Sequence, residues 1–145
     1  MLLIGEYIHT LDDKKRVSLP SKFRKAVGRK IIATRGLDNC LFIYELSEWQ
    51  KIAQKLSDSG MGRADKRSFD RFFLSSAVEM EVDNAGRFLI PEHLRDFADL
   101  KGKIVFAGVG NRIEVWNENR WTEYKNRIDK EADILAEKLG EIGAF

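Results

Sequence analysis

Residues 11–20 read LDDKKRVSLP and residues 82–91 read VDNAGRFLIP. One device is written twice: Asp12 and Asp83, Arg16 and Arg87, and Pro20 and Pro91 stand at identical spacing, 71 residues apart. The chain has only 2 prolines, and each closes one copy. The doubling is therefore a property of the architecture rather than of composition.

The match extends outward on both sides. Tyr7, His9 and Leu11 align with Val78, Met80 and Val82 at the same shift, and both sets alternate with polar positions as a half-buried strand requires. Beyond the prolines one inserted residue takes the shift to 72. There GLDNCLFIY (36–44) aligns with GVGNRIEVW (108–116), pairing Gly36 with Gly108, Asn39 with Asn111, Leu41 with Ile113 and Tyr44 with Trp116, and Trp49 then meets Trp121. Units of about 70 residues are marginal for burying a core alone, so the expected object is one structure with internal pseudo-twofold symmetry.

Each unit reads as strand, tight turn, strand, short helix, two strands and a longer helix. Asp83-Asn84-Ala85-Gly86 has the residues of a type I turn followed by a left-handed glycine, a favoured hairpin loop. Asp12 and Asp83 at the first turn position accept backbone N–H groups in this reading. Val17, Leu19, Phe88 and Ile90 then point to one face and Arg16, Ser18, Arg87 and Leu89 to the other. Pro20 and Pro91 fix φ where SKFRKAV (21–27) and EHLRDFA (92–98) start as helices. Ser47 and Gln50 read as a capping box for a helix striped by Trp49, Ile52, Ala53 and Leu56. The loop SDSGMGRAD leads to a helix carrying Phe69, Phe72 and Phe73, and a last helix runs from Asn119 with Trp121, Tyr124, Ile128, Leu135 and Leu139 as its stripe. His9, aligned with Met80, is expected inward and hydrogen-bonded, and the Trp49 and Trp121 stripes are expected in the core.

Charge is unevenly placed. Residues 1–35 hold Lys14, Lys15, Arg16, Lys22, Arg24, Lys25, Arg29, Lys30 and Arg35 against Glu6, Asp12 and Asp13, a net of +6, whereas the whole chain carries +2. A basic face around the first device on an otherwise acidic body fits a polyanionic partner. Cys40 is a lone cysteine and His9 and His93 are the only histidines, so no metal or other cofactor is expected. No apolar run approaches the roughly 20 residues of a membrane span, and MLLIGEY does not read as a signal peptide. A cytoplasmic location is expected, with neither a membrane nor a small-molecule substrate as partner.

EYIHTLDDKKRVSLP, TRGLDNCLFIY and DNAGRFLIP together resemble the MraZ family of bacterial transcriptional regulators, in which two AbrB-like modules share one chain. The resemblance covers nearly the whole sequence. It implies an α+β, mainly β fold: a pseudo-twofold, swapped-hairpin AbrB-like β-barrel from two tandem repeats, with flanking helices and a C-terminal helix. It also implies a ring-shaped homo-oligomer, a nucleoid-associated role on double-stranded DNA, and the promoter of the division and cell-wall gene cluster as target. The expected division is residues 1–58 for the first module, 59–76 for a linker and helix, 77–125 for the second module, and 126–145 for the C-terminal helix and tail.

Residue by residue, Lys14, Lys15, Arg16 and Arg87 are the expected DNA contacts. Asp12, Pro20, Asp83, Gly86 and Pro91 build the turns. Two departures matter: Lys15 stands at the family's glycine position and Ala85 at its lysine position. The first tip therefore offers three cations of its own and the second one, which predicts unequal binding. Two other classes compete. Glu79, Glu81 and Asp83 share a strand face but have no nucleophile beside them, and GVGNR lacks the third glycine of a dinucleotide fingerprint, so an enzyme is not expected. A ring-forming scaffold without DNA binding explains the symmetry but not the cationic tip.

Overall fold

The computed structural model describes residues 2–145. The elements are β1 (Leu3–Thr10), β2 (Arg16–Ser18), α1 (Ser21–Val27), β3 (Lys30–Arg35), β4 (Leu41–Glu45), α2 (Leu46–Asp58), α3 (Ala64–Leu74), β5 (Val78–Glu81), β6 (Arg87–Leu89), α4 (Glu92–Ala98), β7 (Lys103–Gly110), β8 (Ile113–Asn117) and α5 (Glu118–Glu141). Six strands form an antiparallel sheet in the order β1-β7-β8-β4-β3-β5, and β2 pairs with β6 in a two-stranded ribbon. This is the expected α+β, mainly β class.

The strand order reads as a palindrome of the two repeats. β1 of the first repeat lies on β7 of the second, β5 of the second lies on β3 of the first, and β4 meets β8 at the centre. The ribbon centres on Val17 opposite Phe88, and the β4–β8 pairing on Phe42 opposite Glu114, each a pair of equivalent positions. Each repeat thus supplies the edge strand of the other, the physical content of a swapped hairpin.

Two aliphatic and aromatic clusters hold this arrangement. On the inner face, Val17, Leu19, Phe88 and Ile90 from the ribbon bury against Ile31, Ile104, Phe106 and Ile113 from the sheet, and Phe23 and Leu94 from α1 and α4 close the sides. On the other face Phe42, Tyr44, Phe73 and Trp116 form a second cluster, against which Trp49, Trp121 and Tyr124 of the long helices pack. The side chains of Val17, Leu19, Phe88 and Ile90 are therefore inward as their alternation requires, and the tryptophan stripes belong to the packing.

Several local readings need correction. α2 begins at Leu46 with Glu45 as its N-cap, whose carboxylate accepts from the Ser47 backbone N–H, so Ser47 is inside the helix and the Ser47/Gln50 box does not form. α5 starts at Glu118, capped by the Asn117 side chain, which accepts from Arg120 N–H. The Leu135 and Leu139 end of its stripe is 40% and 44% exposed. Arg35 pairs with Leu41 and Gly108 with Ile113, so Arg35, not Gly36, is the structural counterpart of Gly108. The second repeat carries two more residues between its short helix and the next strand than the first does, and recovers one of them in the following turn.

Candidate nucleic-acid interface

Both devices fold as the same tight loop. The Lys15 N–H donates to the Asp12 carbonyl (3.0 Å) and the Gly86 N–H to the Asp83 carbonyl (2.9 Å). The Asp12 Oδ1 accepts from the backbone N–H of Lys14 (2.8 Å) and Arg16 (2.9 Å), and the Asp83 Oδ1 from Ala85 (2.9 Å) and Arg87 (2.8 Å). Gly86 sits at φ 82° and Lys15 at φ 64°. Lys15 therefore adopts the left-handed conformation that its glycine counterpart adopts freely, at a cost of about 1 kcal/mol. Pro20 and Pro91 occupy the N-caps of α1 and α4, one position before the first helical residue, and their carbonyls accept from Arg24 and Arg95.

The pairing of β2 with β6 brings the two devices onto one surface. Arg16 stands opposite Leu89 and Ser18 opposite Arg87, and because the central Val17 and Phe88 are buried, these four side chains share the outward face. Arg16 and Arg87 are diagonal neighbours, with backbones about 7 to 8 Å apart. Each is oriented by its own turn aspartate: Arg16 Nε donates to Asp12 Oδ2 (3.0 Å) and Arg87 Nε to Asp83 Oδ2 (3.2 Å). Both ion pairs are about a third or more exposed, so they add little stability. Their effect is directional, since engaging Nε leaves the Nη donors for another partner.

Electrostatics agree with this division of labour. The backbone N–H of Arg16, above all, holds the Asp12 carboxyl below its ordinary range, and that of Arg87 does the same for Asp83. The turn aspartates therefore stay ionised beside the arginines. His9, on the inward face of β1, donates through Nδ1 to the Ser18 carbonyl and ties β1 to the ribbon. Glu79 and Glu81 lie on the exposed face of β5, as strand alternation alone requires.

Two further cations reach the second turn from a distant part of the sequence. Arg29, just after α1, donates from Nη2 to Asn84 Oδ1 in the second turn (2.7 Å). Arg24, in α1, lies against Gly86 of the same turn. The second tip, which brings one arginine of its own, thus has two more beside it from the first repeat. Arg24 and Arg29 are two of the nine basic residues in 1–35 and are not among the expected DNA contacts; what the linear sequence lacks is the crossing of the repeats that delivers them.

Among the described residues no group of three or more His, Cys, Asp or Glu side chains could hold a metal ion, and no helix is long and apolar enough to cross a membrane. The family model described as "MraZ protein, putative antitoxin-like" matches the chain twice, at residues 2–72 and 73–139. The chain is 47% identical over 138 residues to the "Transcriptional regulator MraZ" of Caldanaerobacter subterraneus subsp. tengcongensis, covering 95% of this chain and 96% of that protein. It is 45% identical over 141 residues to the protein of that name from Thermoanaerobacter sp. (97% and 99% covered), and 43% over 142 residues to the one from Syntrophomonas wolfei subsp. wolfei (98% and 99%). With a doubled family match across almost its full length and a palindromic sheet built from those two halves, the chain belongs to the MraZ family.

Proposed function

We propose that this protein is a sequence-specific DNA-binding transcriptional regulator that carries the basic face of its β2–β6 ribbon to duplex DNA. The observation that supports this most is the sharing of one outward surface by Arg16 and Arg87, each aimed by a turn aspartate, with Lys14 and Lys15 beside them. Guanidinium groups held this way suit phosphate oxygens and guanine edges. The names of the relatives point to the same role. The target in this reading is the promoter of the division and cell-wall gene cluster, and the protein acts in the cytoplasm at the nucleoid, without catalysis.

The active species in this reading is a ring-shaped homo-oligomer on repeated sites. One ribbon neutralises few phosphates, and non-specific contacts of that kind have dissociation constants of about 10⁻⁴ to 10⁻⁶ M. Several ribbons on one assembly gain avidity. Unpartnered apolar surface supports self-association: Ile4 and Ile8 are 64% and 59% exposed on edge strand β1, and Leu135 and Leu139 line the free end of α5. The test is footprinting on DNA upstream of that gene cluster, with affinity measured across a salt series. A protected, periodic site and a steep fall of affinity with salt are expected. Salt-independent or absent binding by a correctly assembled protein would leave a ring-forming scaffold as the better reading.

A further inference from the structure

The two halves differ at one point where symmetry leads one to expect identity. In the second repeat, Arg95 of α4 folds back and donates from Nε to the Ile90 carbonyl (2.9 Å). Its equivalent 71 residues earlier, Arg24 of α1, makes no such bond: its Nε is buried without a partner, and among the described residues its guanidinium has neither hydrogen bond nor ion pair. The cause lies across the repeat boundary. Arg24 lies where a Gly86 side chain would be, so close that a Cβ there would fall 1.9 Å from Arg24 Nη1 and 2.4 Å from Cζ. At the first turn the equivalent position is Lys15, which has a side chain. A missing side chain in the second turn therefore gives Arg24 its place, and a present one goes with Arg95 turned back.

The surroundings fit an anion. A depression beside the second turn is lined by Arg24, Gly28, Arg29, Val82, Asp83 and Asn84. Its one carboxylate, Asp83, is already engaged by the backbone N–H groups of Ala85 and Arg87 and by Arg87 Nε. Arg29 is fixed by Asn84. We propose that Arg24, seated on Gly86, is a DNA phosphate-anchoring residue, with Arg29 as its neighbour on the same phosphate run. The second tip thus replaces the Lys14 and Lys15 of the first with two arginines from the other repeat. This rests on the DNA-binding reading above. It adds residues outside the doubled motif and a reason for glycine at position 86.

The experiment measures affinity of the assembled full chain for an operator duplex and for a scrambled duplex across a salt series. The proteins are wild type, Arg24→Gln, Arg24→Lys, Gly86→Ala and the double variant Arg24→Gln/Gly86→Ala, with melting temperatures taken without DNA. Arg24→Gln should weaken binding to both duplexes by the same factor and make the salt slope shallower by about one unit per engaged Arg24, while Arg24→Lys keeps the slope. Gly86→Ala removes no charge, yet by displacing the guanidinium it should weaken binding in the wild-type background and add nothing in the Arg24→Gln background. A lowered melting temperature with an unchanged slope would make Arg24 a prop for the turn and overturn the proposal, as would additive effects in the double variant. A flat salt response already in wild type would instead sink the DNA-binding reading, and this proposal with it.

Discussion

Asp12 grips Arg16 at two points, its Oδ1 accepting the backbone N–H at 2.9 Å and its Oδ2 the side-chain Nε at 3.0 Å. Both bonds require the ionised carboxylate, which titrates below its ordinary value of 3.8 because the Arg16 N–H, first of all, stabilises the charge. A group with a depressed folded-state pKa adds stability above its unfolded value and loses it as pH falls through the folded one. Melting temperature should therefore decline on the acid side of about pH 4, and the Asp12→Asn/Asp83→Asn variant should show a flatter acid limb. That variant should also bind DNA more weakly at neutral pH, since the arginines lose their guides. Identical acid limbs would show that other carboxylates set the acid response.

Replacing Arg16 with Ala should weaken DNA binding by about 1 to 3 kcal/mol for each engaged protomer and leave the circular dichroism spectrum unchanged. Arg87→Ala should cost a similar amount, because the two side chains are related by the pseudo-twofold through Val17 and Phe88. Titration of both variants at one fixed salt concentration checks this. A much smaller loss at Arg87 would restore the inequality that the separate tips suggest.

Lys15→Gly separates charge from strain. Lys15 holds φ 64°, so glycine should raise stability by up to about 1 kcal/mol, less the greater entropy it gives the unfolded chain. DNA affinity should nevertheless fall, with a shallower salt slope. Urea denaturation and a salt series on the same preparation read both effects, and a clear loss of stability would mean that the Lys15 side chain has a packing role.

The doubled motif makes much of this legible in the sequence. Identical spacing from Asp to Pro points to the pseudo-twofold, alternation places Val17, Leu19, Phe88 and Ile90 on one face, and the turn pattern puts Gly86 at positive φ, whereas the conformation of Lys15 comes only from the fold. What stayed hidden was whatever depends on contact between the repeats. Nothing local joins Arg29 to Asn84, 55 positions away, and the vacancy that seats Arg24 is a property of a glycine in the other half. The α2 cap escapes the sequence for a smaller reason: Glu45 ends β4 and caps the next helix at once, and a strand-terminal carboxylate gives no capping signature.

Phe88→Ala tests the ribbon as a structural element. Phe88 is 4% exposed, opposite Val17 and within 6.4 Å of Phe106 between ring centroids. Truncation of such a ring costs about 3 to 5 kcal/mol, readable as a shift of the urea midpoint. A loss under about 1 kcal/mol would mean that the ribbon is held by its hydrogen bonds rather than by its buried side chains.

Spacing within the DNA tests assembly. Ribbons on one face of a ring should meet direct repeats about 10 base pairs apart or a multiple of that. Inserting about 5 base pairs turns one site to the far side of the duplex, so affinity should collapse, then recover at about 10. Binding that ignores spacer length, or full affinity from a monomer on one site, would remove the multivalent model.

The palindromic sheet bears on how the chain can be cut and how it must be made. Because β1, β2, β3 and β4 each pair with a strand of the other repeat, a nick in the loop before α3 would sever the polypeptide without separating the halves. Two co-expressed fragments should find each other and restore the whole, whereas either fragment alone would present raw strand edges and seek a second copy of itself. On the ribosome, β1, which starts at Leu3, must wait unpaired until β7, which starts at Lys103, emerges. Synthesis thus leaves the first half with a long interval in which its natural mate and a neighbouring nascent chain are equally good company.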